Sequence, residues 1–204
     1  MKHQVTTILF WGALWGIMES TLGYVLHIFS IALPGLPGML MFPIAFIFMH
    51  RVYDSTGNPA SVVQIAIVAA LIKLTDLFFG GLIPIYVINP ALSLLMEGMA
   101  VAIVIHFVNR RKVSIQFSHG FTMGLIWRAM FLGYMLVLSR FDLPAGLVTN
   151  GWSVALRFLI WESFLNAFLI KGYLSLSVKE KAKEPSTALT WGLVFVAVLL
   201  QRLF

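Results

Sequence analysis

Long apolar runs separated by short polar turns constrain this chain more than any other feature. They lie near 7–28, 38–50, 60–79, 89–108, 119–139, 151–171 and 187–203. A helix needs about 20 predominantly apolar residues to cross a bilayer core. The expected fold is therefore all-α: a polytopic membrane helix bundle in one domain, 1–204, with six spans and a further C-terminal apolar helix at 187–203. The second run is short for a perpendicular span, so it is bent, partly re-entrant or extended through its prolines. The last run stands at the lower limit of spanning length, about 17 residues. It either crosses the membrane as a seventh span, or lies along it or packs peripherally and leaves six spans.

Composition agrees. Hydrophobic residues make up 60% of the 204 and charged residues only 11%, against about 25% charged in a soluble chain. The formal charge of +6 does not point to nucleic acid, because Lys and Arg sit at the ends of the apolar runs. The absence of Cys excludes a disulfide framework, a thiolate metal site and a Cys nucleophile. The start, MKHQVTTILFWGALWG, carries no small-residue cleavage site soon after its apolar run and reads as a retained first span. Breaks fall at ALPGLPG (32–38), DSTGNP (54–59), GGLIPIYVINP (80–90), NRRKVS (109–114), RFDLPAG (140–146) and KEKAKEPS (179–186), where turn chemistry expects them.

The cations set an orientation. With a cytoplasmic N-terminus, Lys2, Arg51, Arg110, Arg111, Lys112, Lys171, Lys179, Lys181 and Lys183 fall inside, and only Arg140 and Arg202 outside. Nine against two is a positive-inside asymmetry.

Within the apolar runs stand four acids, Glu19, Asp76, Glu97 and Glu162, and three bases, Lys73, Arg128 and Arg157. A charge at mid-bilayer costs about 2.5–3.5 kcal/mol on insertion scales, so such groups face a bundle interior or wet cavity and pair with one another. IMESTLG (17–23), LMEGMAV (95–101) and IWESFLN (160–166) each place a Glu after two apolar residues and before Ser or Gly. Lys73 and Asp76 share a helix face and can pair; with Glu19 they form an expected structural polar cluster. Arg128 and Arg157 can each neutralise a Glu across helices. The remaining acid either carries a proton or awaits a cationic ligand group.

Gly12, Gly16, Glu19, Gly23 and His27 form a small and polar stripe along the first run. Small residues four apart let another helix approach closely. The stripe packs internally or, at Gly12 and Gly16, receives another subunit. Trp152 and Trp191 stand at interface positions; Trp127 and Trp161 lie deeper, against lipid, core or a planar ligand. The His residues show no metal-binding spacing, and there is no P-loop, nucleophile elbow or dinucleotide fingerprint, so neither a metal nor a cofactor is expected.

The layout resembles the substrate-binding S component of energy-coupling-factor (ECF) vitamin transporters. The likeness covers about 7–175. It rests on the small-xxx-small stretch Gly12-Ala13-Leu14-Trp15-Gly16, with Gly where the family usually has Ala, on the outer segment from His27 to Gly38, and on the runs NPALSLLMEGMAVAIVIHFVNRRK (89–112) and LPAGLVTNGWSVALRFLIWESFLNAFL (143–169). An apolar helix at 187–203 departs from the family's layout. The resemblance implies a multi-pass protein of a bacterial cytoplasmic membrane that docks on a transmembrane T component through Gly12 and Gly16 and is driven by ATPase subunits. It also implies a small-molecule ligand held by the outward halves of the later spans. The candidate binding residues are Asn89, Glu97, Trp127, Arg128, Trp152, Arg157 and Glu162, and the acid surplus leans towards a ligand with a cationic or amine-rich part. The alternative is a membrane-embedded enzyme whose carboxylates act on a lipid or diphosphate, although no two acids stand at a catalytic spacing such as D-x-x-D.

Overall fold

Six helices in the computed structural model are long and apolar enough to cross a membrane. They are Gln4–Leu26, Leu36–Thr56, Pro59–Phe78, Ile85–Arg111, Phe117–Ser139 and Trp152–Leu176, hereafter spans one to six. A shorter apolar helix, Thr187–Leu203, follows them. The structure describes residues 2–29, 36–79, 83–176 and 185–203, and among these there is no strand. The chain is an all-α multi-pass membrane bundle. The outward loops expected at 29–37 and 80–88 lie partly outside the described residues, and Lys179, Lys181 and Lys183 wholly so.

Span two is not short. It runs for 21 residues because the helix continues past Met49 through the polar HRVYDST, which an apolar window does not count. Asn58 caps the next span: its side chain accepts from the Ala60 N–H at 3.0 Å, and Pro59 takes a first-turn position that needs no N–H partner. Gly57, at φ +64°, supplies the left-handed residue that turns the chain between spans two and three.

The spans pack in the closed order one, three, four, five, six, two, which brings span two back against span one. Span two turns one face into the core: Phe42, Ala45, Phe46, Met49 and Val52 are fully buried. Small residues set the tightest crossings. Gly98 of span four lies against Ala66 of span three, and Gly124 of span five stands where a Cβ would be 2.9 Å from the Ser163 Cβ of span six. Helices in lipid gain association energy from such close backbone approach.

The helix Thr187–Leu203 packs on spans one and three, with Ala197 buried beside Ala13 and Ile72. Nearer its C-terminal end, Gln201 reaches Ser20 and Asp76. It is an integral part of the bundle rather than a detached segment.

Candidate functional site

Spans two, five and six meet around Arg128, which is fully buried. Its guanidinium donates to Asn166 Oδ1 at 2.6 Å, to the Gly38 carbonyl at 3.0 Å and to Ser163 Oγ at 3.4 Å. It lies 4.4 Å from the Trp127 ring centroid and 5.2 Å from that of Phe158. Its Nη2 stands 3.6 Å from Glu162 Oε2, an ionic contact too long for a hydrogen bond. Asn166 in turn donates to the Met39 carbonyl at 2.6 Å.

That last bond has a covalent cause. The Met39 carbonyl would normally accept from the N–H four residues on, but position 43 is Pro43, which has none. An unmet carbonyl inside a membrane is expensive, and Asn166 supplies the donor. Arg128 and Asn166 together pin the first turns of span two onto spans five and six.

The junction also holds unmet hydrogen-bonding capacity. Both oxygens of Glu162, Arg128 Nε and Trp127 Nε1 are buried and have no hydrogen-bond partner among the described residues. Glu162 is 1% exposed. Aromatic rings surround the group: Trp127 lies 5.7 Å from Phe42 and 5.5 Å from Phe158, and Phe131 adjoins Phe158 at 6.2 Å.

A second carboxylate locus adjoins it. Glu97, 5% exposed, accepts from Ser93 Oγ at 3.1 Å and feels the charges of both Glu19 and Arg128. Glu19 opens a π-helical turn, Glu19–Gly23, and span six carries a similar turn, Arg157–Trp161, immediately before Glu162. Such turns loosen the regular backbone ladder and recur at functional sites. In each span a nearby hydroxyl bonds the carbonyl four residues back: Thr21 to Ile17 at 2.7 Å and Ser163 to Leu159 at 2.5 Å.

Lys73 and Asp76 pair at 2.7 Å, and Lys73 also acts electrostatically on Glu19. Gln201 completes this cluster. In the amide orientation that satisfies both partners, its nitrogen donates to Asp76 Oδ1 at 2.8 Å and its oxygen accepts from Ser20. The structural cluster expected from sequence therefore gains two members, Ser20 and Gln201.

The expected docking face at Gly12 and Gly16 is corrected. A Cβ on Gly12 would lie 2.6 Å from Val68 Cβ, and one on Gly16 would lie 3.0 Å from Ile72 Cδ1. The glycines bring span three of the same chain close to span one, which leaves no room there for a helix of another subunit.

The other expected site residues are spread. Asn89 accepts from the Tyr134 hydroxyl at 2.8 Å. Trp152 is 85% exposed, and Arg157 is exposed on the turn before Glu162. Thus Arg128, Trp127 and Glu162 come together with Glu97 close by, whereas Trp152 and Arg157 stand at the surface of the bundle. Sequence reasoning missed Asn166, Ser163 and the Gly38 and Met39 carbonyls. The spacing of Glu162, Ser163 and Asn166, which puts all three on one helix face, was the available signal.

Comparison with known proteins returns no matching family model, no matching curated protein and no matching solved structure.

Proposed function

We propose that this chain is the membrane-embedded substrate-binding component of an ATP-driven uptake system of the ECF type. In this reading the N-terminus is cytoplasmic and the membrane is that of a bacterium. The observation that carries it is the Arg128 junction: charged and polar atoms with unmet hydrogen bonds, buried among aromatic rings. Ligand sites combine an apolar, aromatic lining with a few convergent polar groups in this way. Unmet buried groups destabilise a fold by about 1–3 kcal/mol each, and binding a polar ligand recovers that loss.

Arg128, Trp127 and Glu162 form the centre of the site and Glu97 adjoins it, whereas Asn89, Trp152 and Arg157 stand apart from it. The chain carries no P-loop, so the energy comes from ATPase subunits through a transmembrane partner. That partner meets a face other than the Gly12–Gly16 stripe, which span three fills.

The test is mass spectrometry of small molecules retained by the detergent-purified protein, paired with uptake of the identified compound by cells that express the chain. A vitamin-sized compound at near one per chain, whose uptake depends on the chain, supports the reading. Turnover of a lipid with nothing retained refutes it.

A further inference from the structure

The geometry points to a ligand class for the Arg128 junction: a planar ring bearing a cationic group with paired N–H donors, of the amidine or amino-azine type, bound edge-on to Glu162. This rests on the proposed uptake reading only for how the ligand arrives; the recognition chemistry stands on the residues.

The local argument comes from Glu162. Its two oxygens are both acceptors, both buried and both without a hydrogen-bond donor among the described residues. A carboxylate in that condition is matched by two parallel N–H groups, the bidentate arrangement that makes charge-assisted pairs strong. Arg128 does not provide it. Its fork is turned to Asn166 and Gly38, which it bonds at 2.6 and 3.0 Å, and it meets Glu162 only at 3.6 Å. Gly38 matters as well. A Cβ there would come within 3.1 Å of Glu162 Oε2, so only a glycine lets the first turn of span two lie this close over the carboxylate.

The long-range argument is charge. Lys73 is taken by Asp76 at 2.7 Å, and Arg157 is exposed. Glu19 and Glu97 have no cation within ion-pair distance among the described residues, and Glu97 feels the charge of Glu19. The acids that lie inward, Glu19, Asp76, Glu97 and Glu162, outnumber the inward cations, Lys73 and Arg128, so an incoming cationic group finds an acid to pair with and an anion finds no spare cation. The flat aromatic neighbours, Trp127 and Phe158, select a ring.

Access follows from the same contacts. The turn of span two over Glu162 is held by two side-chain bonds to its carbonyls, and Pro43 has removed one regular helix bond beneath it. Release of Arg128 and Asn166 lifts that turn without breaking a complete helix.

The experiment uses three probes of one shape on the full-length protein in detergent: benzamidine, benzamide and benzoate. They differ only in presenting an amidinium, an amide or a carboxylate. Calorimetric titration of the wild type should give saturable benzamidine binding at least tenfold tighter than benzamide, and none for benzoate. Glu162→Gln should bring benzamidine down to the benzamide level. Benzoate binding as tightly as benzamidine, no binding of any probe, or benzamidine affinity unaltered by Glu162→Gln overturns the inference. The wild-type ranking stands without the variant should the variant not fold. A co-purified compound without paired N–H donors overturns the inference and leaves the uptake reading intact. Tight benzamidine binding in a chain that supports no uptake has the opposite meaning: it keeps the inference and removes the uptake reading.

Discussion

Asn166 of span six donates to the carbonyl of Met39 in span two, the carbonyl that Pro43 leaves without a helical partner. A side chain 127 positions away thus repairs a defect that a proline creates locally. The repair ties the strength of the span two–span six contact to the proline itself.

Asn166→Leu should therefore destabilise the bundle by about 1–3 kcal/mol, the cost of an unmet buried acceptor. The cost should shrink in a Pro43→Ala background, where an N–H returns to the helix. Thermal unfolding of the two single variants and the double variant in detergent measures the coupling. Additive losses would mean that Asn166 acts through Arg128 alone.

Gly12→Ala should be destabilising by about 1–3 kcal/mol, because the new methyl meets Val68 at the crossing of spans one and three. Gly133→Ala is the control. Nothing lies within 4 Å of a Cβ at that site, and alanine gains about 1 kcal/mol of helix propensity. Equal unfolding temperatures for the two variants would show that the stripe does not bear the contact.

What could be read from sequence, and what could not, divides by range. The spans were legible because lipid demands long apolar runs, and Lys73–Asp76 was legible because three residues along a helix share a face. The length of span two was not, since the stretch from His50 to Thr56 is mostly polar yet helical. The Gly12–Gly16 stripe announced a close approach without saying which helix would make it. Arg128 could be marked as buried and in need of partners, but Asn166 and Gly38 are joined to it only by the packing of three spans.

Gln201 should act as the fastener of the C-terminal helix. Gln201→Leu removes the donor to Asp76 and the contact to Ser20, at about 1–3 kcal/mol. Gln201→Glu should cost more, because it sets a second carboxylate against Asp76. Unfolding temperatures should fall in the order wild type, Gln201→Leu, Gln201→Glu. A harmless Gln201→Glu would show that the helix end does not sit against Asp76.

The proposed orientation has its own test. Asp142 and Ser114 are both exposed, on turns at opposite ends of span five. The chain has no native Cys, so a single introduced thiol reports its own side. An impermeant maleimide on intact cells should label Asp142→Cys and spare Ser114→Cys. The reverse pattern inverts the topology and with it the outward placement of the Arg128 junction.

The final prediction separates the two halves of the Arg128–Glu162 contact. Arg128 holds three neutral partners across spans two and six as well as facing Glu162. Arg128→Leu strands all of them and leaves a buried carboxylate with no counter-charge at ion-pair distance, a loss of about 3–5 kcal/mol when one member of a buried pair is removed. Arg128→Lys should recover only part of that loss, since an ammonium cannot bond Asn166 and Gly38 in one plane while stacking on Trp127. Glu162→Gln should be mild, because no hydrogen bond among the described residues depends on the carboxylate and Arg128 keeps its other partners. Denaturation curves for the three variants should rank Glu162→Gln nearest wild type, Arg128→Lys next and Arg128→Leu last. If Glu162→Gln falls as far as Arg128→Leu, charge pairing and not the bonds to span two holds the junction together, and Glu162 is a structural anchor with no acceptors to offer a ligand.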